Sequence, residues 1–243
     1  MVGCLFGDTK IGSGNIATKV ALQSIHLSMR RRGHLDQYFN IFTHRKKHTF
    51  SKILMNPSYM DIGKKFANCF NNKAECFKFY GYVKEKIMLD KTSVYGKPVE
   101  IAINVDTDNV GDKLTYYSHT GIIIFVNFAP ILWYPKRQYT IKSSSFGSKV
   151  VDLRMDPELI KILHYKICMI CVTLSGPTYS LVHNKEVVNG AFIAEWKFTK
   201  KHIGIFYHTL CKASSQGIWW VGFIKGKHNI TDFLTDSLYG NAR

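Results

Sequence analysis

The sequence predicts an α/β fold: one mixed sheet of three antiparallel strands plus two strands reached by helical crossovers, with a helical extension ahead of it. Three observations carry that reading. Period-two alternation of apolar residues sets in directly after Pro98, two further apolar runs follow at short intervals, and from residue 156 onward helical and strand patterns take turns.

In the first strand Val99, Ile101, Ile103 and Val105 alternate with Glu100, Ala102 and Asn104, which predicts two unlike faces and an end at Asp106. Residues 121–127 and 131–134 read as two more strands, joined by a turn at Ala129-Pro130 into an antiparallel meander. Asp156-Pro157-Glu158 has the form of a helix start, with Asp156 as cap and Pro157 in the first turn. Leu159, Leu163, Ile167 and Ile170 then predict one buried stripe that ends near Gly176-Pro177. A strand at 179–182, a basic helix over about 198–213, a strand at 218–224 and a helix at 231–238 complete the order. Upstream, residues 16–55 carry apolar groups at helical spacing, with Gly33 between two stretches, and 56–97 read as a connector. The division expected is therefore 1–55, 56–97 and 98–240.

At 243 residues with 46% apolar content the chain can bury a sizeable core. A net charge of +16 points to a polyanionic partner such as nucleic acid, with a plain solvated basic surface as the alternative. The basic groups fall at Arg30-Arg31-Arg32, Arg45-Lys46-Lys47, 197–201, and Lys225 with Lys227. Six scattered cysteines suggest no disulfide framework, and Cys168-Met-Ile-Cys171 sits inside a helical pattern that predicts a core-facing pair rather than a metal site. The longest apolar runs fall short of a membrane span, so the expectation is an intracellular protein, cytoplasmic or nuclear, with no membrane partner.

Several strings resemble the Pol polyprotein of copia-type LTR retrotransposons in consecutive order. Val105-Asp-Thr-Asp-Asn-Val-Gly-Asp112 is similar to V-D-x-D-x-A-G-D, and Ser118-His-Thr-Gly121 to the serine-threonine-glycine segment that follows. Ala129-Pro-Ile-Leu-Trp-Tyr-Pro-Lys-Arg-Gln138 resembles P-I-x-W-x-S-K-K-Q, which leads into a helix of form S-x-x-x-A-E, here Ser144-Ser-Phe-Gly-Ser-Lys149. Ser180-Leu-Val-His-Asn184 stands at the strand that ends in D-N, Phe206-Tyr-His208 at the tyrosine-histidine pair, and Thr231-Asp-Phe-Leu-Thr235 at A-D-x-x-T. Upstream, Gly14-Asn-Ile-Ala-Thr-Lys-Val and Gly33-His-Leu-Asp-Gln-Tyr-Phe resemble the segment joining reverse transcriptase to RNase H. The resemblance covers about residues 14–238 and implies an RNase H-like domain preceded by the tail of a reverse transcriptase.

An RNase H cleaves the RNA strand of an RNA–DNA hybrid with two divalent metals about 3.5–4 Å apart, which need hard oxygen ligands. The resemblance places the four carboxylates at Asp106, position 149, position 183 and Asp232. Two of those positions hold Lys149 and His183. A protonated lysine repels cations, and an imidazole is a poor ligand for magnesium. Asp152 and Glu186 are neighbouring acids displaced from the required places, and Pro157 is expected to break the helix beyond Lys149. Asp106 and Asp232 have structural readings too, as a strand-end residue and a helix cap.

What this implies is a domain that has lost its Mg2+ site and its catalysis, while keeping contacts to a hybrid or duplex through Lys197, Lys200, Lys201, Lys225 and Lys227. A working ribonuclease H with rearranged ligands is the first alternative. An interaction protein that associates with intact Pol products is the second.

Overall fold

The computed structural model describes residues 32–47, 96–108, 118–138, 145–185, 188 and 201–235. Among them are a helix α1 (Arg32–Lys47), then β1 (Ile101–Asp108), β2 (His119–Val126), β3 (Ala129–Arg137), α2 (Ser145–Met169), β4 (Thr178–Val182), α3 (Lys201–Ser215), β5 (Trp219–Phe223) and a short α4 (Asp232–Thr235). The five strands form one sheet in the order β3-β2-β1-β4-β5. β1 pairs antiparallel with β2, and β2 with β3, whereas β1–β4 and β4–β5 are parallel. A meander followed by two crossover strands is the RNase H-like fold that the sequence predicts.

β1 occupies the middle of the sheet and is buried on both faces. Ile101, Ile103 and Val105 point to one side, where they pack with Leu153, Ile160 and Ile167 of α2 and Leu210 and Ala213 of α3. Ala102 faces the other side with Ile123, Phe125, Trp133, Leu181, Ile224 and Leu234. This explains why the alternation in β1 is apolar against small or amide, not apolar against charged: both faces must leave water. β3 lies at the sheet edge, where Pro130 and Pro135 are tolerated because an edge strand has amide positions that no neighbour needs.

Several boundaries differ from the sequence expectations. The β2–β3 turn falls at Asn127-Phe128 rather than Ala129-Pro130: Asn127 adopts φ 54°, and its side-chain oxygen accepts from the Glu100 amide at 3.0 Å. Asparagine tolerates that left-handed backbone, so it and not the proline makes the corner. β1 continues to Asp108, because its antiparallel partner runs back to His119. Gly33 lies within α1 instead of punctuating it.

The largest correction concerns α2. No helix starts at Asp156 and none breaks at Pro157; a single helix of 25 residues carries Pro157 in its interior. Such a proline costs a helix about 3 kcal/mol. Leu153 ahead of it and Ile160 and Ile167 beyond it are all buried in the same core, and that shared docking surface outweighs the local penalty. The buried face also includes Asp156 and His164, at exposures of 0% and 7%, while Ile170 past the helix end is 68% exposed. The apolar stripe predicted through Ile170 is therefore partly out of phase. Cys168 and Cys171 are half-buried and not disulfide-bonded, rather than a core pair. Among the described residues no helix is long and apolar enough to cross a membrane.

Candidate functional site

In an open sheet, ligands bind beyond the carboxyl ends of parallel strands. β1 and β4 are parallel neighbours whose register pairs Val105 with Val182, so Asp106 and His183 each stand one residue past the same rung. β5 adds Phe223 beside Val182. Two of the chemistry-bearing stretches singled out in the sequence thus converge at one sheet end beside the end of β5, and a third, at 231–235, arrives there through α4.

Gly121 makes that arrival feasible. It pairs with Asp106 across the β1–β2 ladder, and a Cβ there would stand 2.8 Å from Leu234 Cβ and 3.1 Å from the Thr231 carbonyl oxygen. Only a residue without a side chain lets α4 lie so close to the sheet. Once docked, α4 presents Thr235, whose hydroxyl donates to Asp106 Oδ2 at 2.8 Å. Asp106 is half-buried, and Asp232 is the first residue of α4.

His183 is exposed, and its ring lies against the backbone of the turn after β5. A Cβ on Gly226 would be 2.7 Å from His183 Nε2, so a side chain there would turn the exposed imidazole away from its present place. The imidazole faces Phe223, with ring centroids 6.2 Å apart, and the Lys185 ammonium stands 5.2 Å from the centroid of that same ring. Lys225 and His228 are exposed on the following turn. This end of the sheet is accordingly cationic and aromatic.

Position 149 is located by the seam between α2 and β4. Ser180 donates to Asp156 Oδ2, and His164 Nε2 lies 2.7 Å from the Thr178 hydroxyl. Helix numbers fall as strand numbers rise, so the N-terminal part of α2 runs toward the carboxyl ends of β1 and β4. Position 149 is two turns before Asp156, about 10.5 Å at 1.5 Å per residue. Asp106 is three residues beyond Ile103, the partner of Ser180, or about 10 Å along the strand. The backbone therefore brings position 149, a lysine, to the height of Asp106.

The seam's own titratable groups are set by burial. Desolvation raises the Asp156 carboxyl to about 7, partly opposed by the Ser180 hydrogen bond, and its Oδ1 has no hydrogen-bond partner. Desolvation lowers His164 to about 4. Both are neutral in much of the ordinary pH range, as interior groups without charged partners must be.

The donor set at the strand ends fits a magnesium pair poorly. Of the described side chains there, Asp106 is the one carboxylate and one of its oxygens is engaged by Thr235. Among the described residues no three histidine, cysteine, aspartate or glutamate side chains group closely enough to hold a metal. Of the predicted nucleic-acid contacts, Lys225 follows β5 and is exposed, Lys227 belongs to the turn at 226–228, and Lys201 opens α3. Lys197, Lys200 and Glu186 lie outside the described residues. His208 is exposed on α3, its ring 5.7 Å from that of Tyr207. The sequence reading missed Lys185, Phe223 and Thr235; Thr235 was inside a recognised string and Phe223 inside an expected strand, but only the fold reveals what they touch.

The sequence matches no protein-family model and no curated protein sequence. Among solved structures, an RNase H1 isolated from compost by a metagenomic approach aligns at 12% identity and TM-score 0.42, over 56% of this chain and 91% of its own. The N-terminal RNase H domain of a Mycobacterium tuberculosis protein aligns at 14% identity and TM-score 0.35, over 56% and 91%. A foamy viral protease-reverse transcriptase, solved in complex with an RNA/DNA hybrid, aligns at 12% identity and TM-score 0.36, over 64% of this chain and 22% of that one. The fold assignment rests on strand order and register.

Proposed function

We propose that this chain is the RNase H-like domain of a copia-type retrotransposon Pol fragment, which binds RNA–DNA hybrid or a related duplex and does not cleave it. In this reading residues 98–240 form that domain, 1–55 derive from the end of a reverse transcriptase, and 56–97 connect them. The observation that carries it is the composition of the strand ends: Asp106 held by Thr235, His183 on the adjoining strand end, and a lysine at helix position 149. Hydrolysis through two metals needs a concentration of negative charge around them. This end supplies the opposite charge. The same cations suit the phosphate backbone of a nucleic acid, which is bound through counterion release without regard to sequence.

The test is hybrid cleavage and hybrid binding measured on one preparation, in magnesium and in manganese, across a salt series. The expected result is an intact RNA strand even at stoichiometric protein, together with affinity that falls linearly with log salt. Cleavage of the RNA strand would establish a working ribonuclease H with rearranged ligands instead. Salt-insensitive association with intact Pol products, with no affinity for hybrid, would establish an interaction protein.

A further inference from the structure

We propose that His183, Lys185 and Phe223 form a phosphate-backbone clamp that works without a divalent cation, so that the nucleic acid is held at the strand ends by fixed side-chain donors. This rests on the nucleic-acid reading above and specifies which groups do the binding and by what chemistry.

The geometry supplies three requirements of such a clamp. The first is positioned donors. His183 lies beside the Gly226 backbone, where an added Cβ would stand 2.7 Å from Nε2, and is tilted toward the Phe223 ring, 6.2 Å away between centroids. Lys185 is drawn over the same ring, its ammonium 5.2 Å from the centroid, within the range of a cation–π contact. A lysine held in this way gives up less side-chain freedom when it meets a ligand than one free in solvent.

The second is access. His183, Lys185, Lys225 and His228 are all exposed, on two neighbouring segments that leave the sheet at the same end. The third is charge. A phosphodiester requires positive or N–H groups, which Lys185 and Lys225 supply from the exposed side, while Asp106 is half-buried and turned to the Thr235 hydroxyl. A magnesium-dependent contact would need an oxygen cage in the place where the imidazole and ammonium stand. Phe223 serves as the support beside which both the imidazole and the ammonium stand.

The experiment is fluorescence anisotropy of the full chain with a labelled RNA–DNA hybrid, titrated across a salt series in magnesium and in EDTA at matched ionic strength. The variants are Lys185→Gln, His183→Gln with Lys185→Gln, and Gly226→Ala, with Lys161→Gln on the exposed side of α2 as control. The expected results are equal affinity with and without magnesium, and a log K against log salt slope reduced by about 0.9 for each phosphate that a variant no longer neutralises. The double variant should bind about tenfold more weakly at low salt and the control like wild type. Gly226→Ala should weaken binding by displacing the imidazole; if it fails to fold, the two exposed-side-chain variants still decide the matter. Affinity that collapses in EDTA, or a slope unchanged in the double variant, overturns the clamp. Wild type that binds no hybrid at any salt removes the nucleic-acid reading and the clamp with it, whereas wild type that binds while the variants match it removes the clamp alone.

Discussion

The seam between α2 and β4 and the open ends of β1, β4 and β5 are both built from polar side chains, and they treat charge in opposite ways. At the seam Asp156 and His164 are buried and pair with the hydroxyls of Ser180 and Thr178. Burial shifts each toward its neutral form. At the strand ends His183, Lys185 and Lys225 are exposed. The difference teaches that polarity within one sheet serves two purposes: neutral pairs fix how a helix sits on a strand, and exposed cations leave the strand ends free to meet an anion. A buried charge is expensive and a solvated one is not, so the same residue types lead to different roles.

The largest effect that would sharpen this contrast is on pH dependence. Asp156 rises from 3.8 to about 7 on folding, so its contribution to stability is complete below pH 3.8 and is lost as pH climbs to 7. His164 falls from 6.5 to about 4, so its contribution is complete above pH 6.5 and is lost as pH drops to 4. Each slope is about 1.36 kcal/mol per pH unit, and between about pH 4 and 6.5 the two have opposite sign and offset each other. Urea unfolding across that window should therefore show little contribution from the pair in the wild type. In His164→Gln the stability should fall with rising pH by roughly 3 kcal/mol, and in Asp156→Asn it should rise by a similar amount. Parallel curves for wild type and both variants would mean that neither group is buried as described.

Pro157 offers the next test of the seam. If docking of Leu153, Ile160 and Ile167 is what carries α2 through the proline, then Pro157→Ala should keep the helix and stabilise it by about 1–3 kcal/mol, since an interior proline is intrinsically so costly. Loss of helix signal or of stability would show that the ring's own packing holds the site.

The strand ends can be probed by reversing their charge. Lys149→Glu combined with His183→Asp restores the acidic pattern that the motifs resemble. The double variant should acquire a magnesium-dependent rise in thermal stability that wild type lacks, about 1.4 kcal/mol at ten times the dissociation constant. No magnesium effect in the double variant would show that the backbone at these positions is out of place for a metal pair. It would then count against descent from a metal site.

Much of this was legible in the sequence, and the parts that were not share a cause. The succession of strands along the chain followed from the alternation in β1 and the runs at 121–127, 179–182 and 218–224, because apolar periodicity reports burial directly, whereas their order in the sheet came from the resemblance. The helix α2 was misread because Asp156 and His164 occupy its core face, and polar letters on a buried face look like a cap and a solvent position. Pro157 strengthened the error, since local chemistry favours a helix start and only the tertiary contact overrides it. Of the candidate site, Asp106 and His183 were found through resemblance, and the parallel register sets them on adjoining strand ends. Lys185 and Phe223 could not have been found that way: they are far apart in sequence and meet only because β4 and β5 are neighbours.

The smallest effect concerns the link between α4 and the sheet. Thr235 donates to Asp106 from a helix that reaches it only because Gly121 has no side chain. Thr235→Val keeps the shape and removes the hydroxyl, so it isolates the hydrogen bond from the packing. A hydrogen bond to a carboxylate contributes about 1.5–3 kcal/mol at most, less where water can replace the donor, and Asp106 is only half-buried, so a loss near 1 kcal/mol is expected by denaturant unfolding. If Asp106 and Thr235 form a structural pair, Asp106→Asn should cost a similar amount and the double variant should cost less than the sum, because the two changes remove one shared interaction. Additive losses would mean that Asp106 is held by something other than α4. In that case its carboxylate is more open to a ligand than the cationic character of the strand ends suggests, and the contrast between seam and site narrows by one residue.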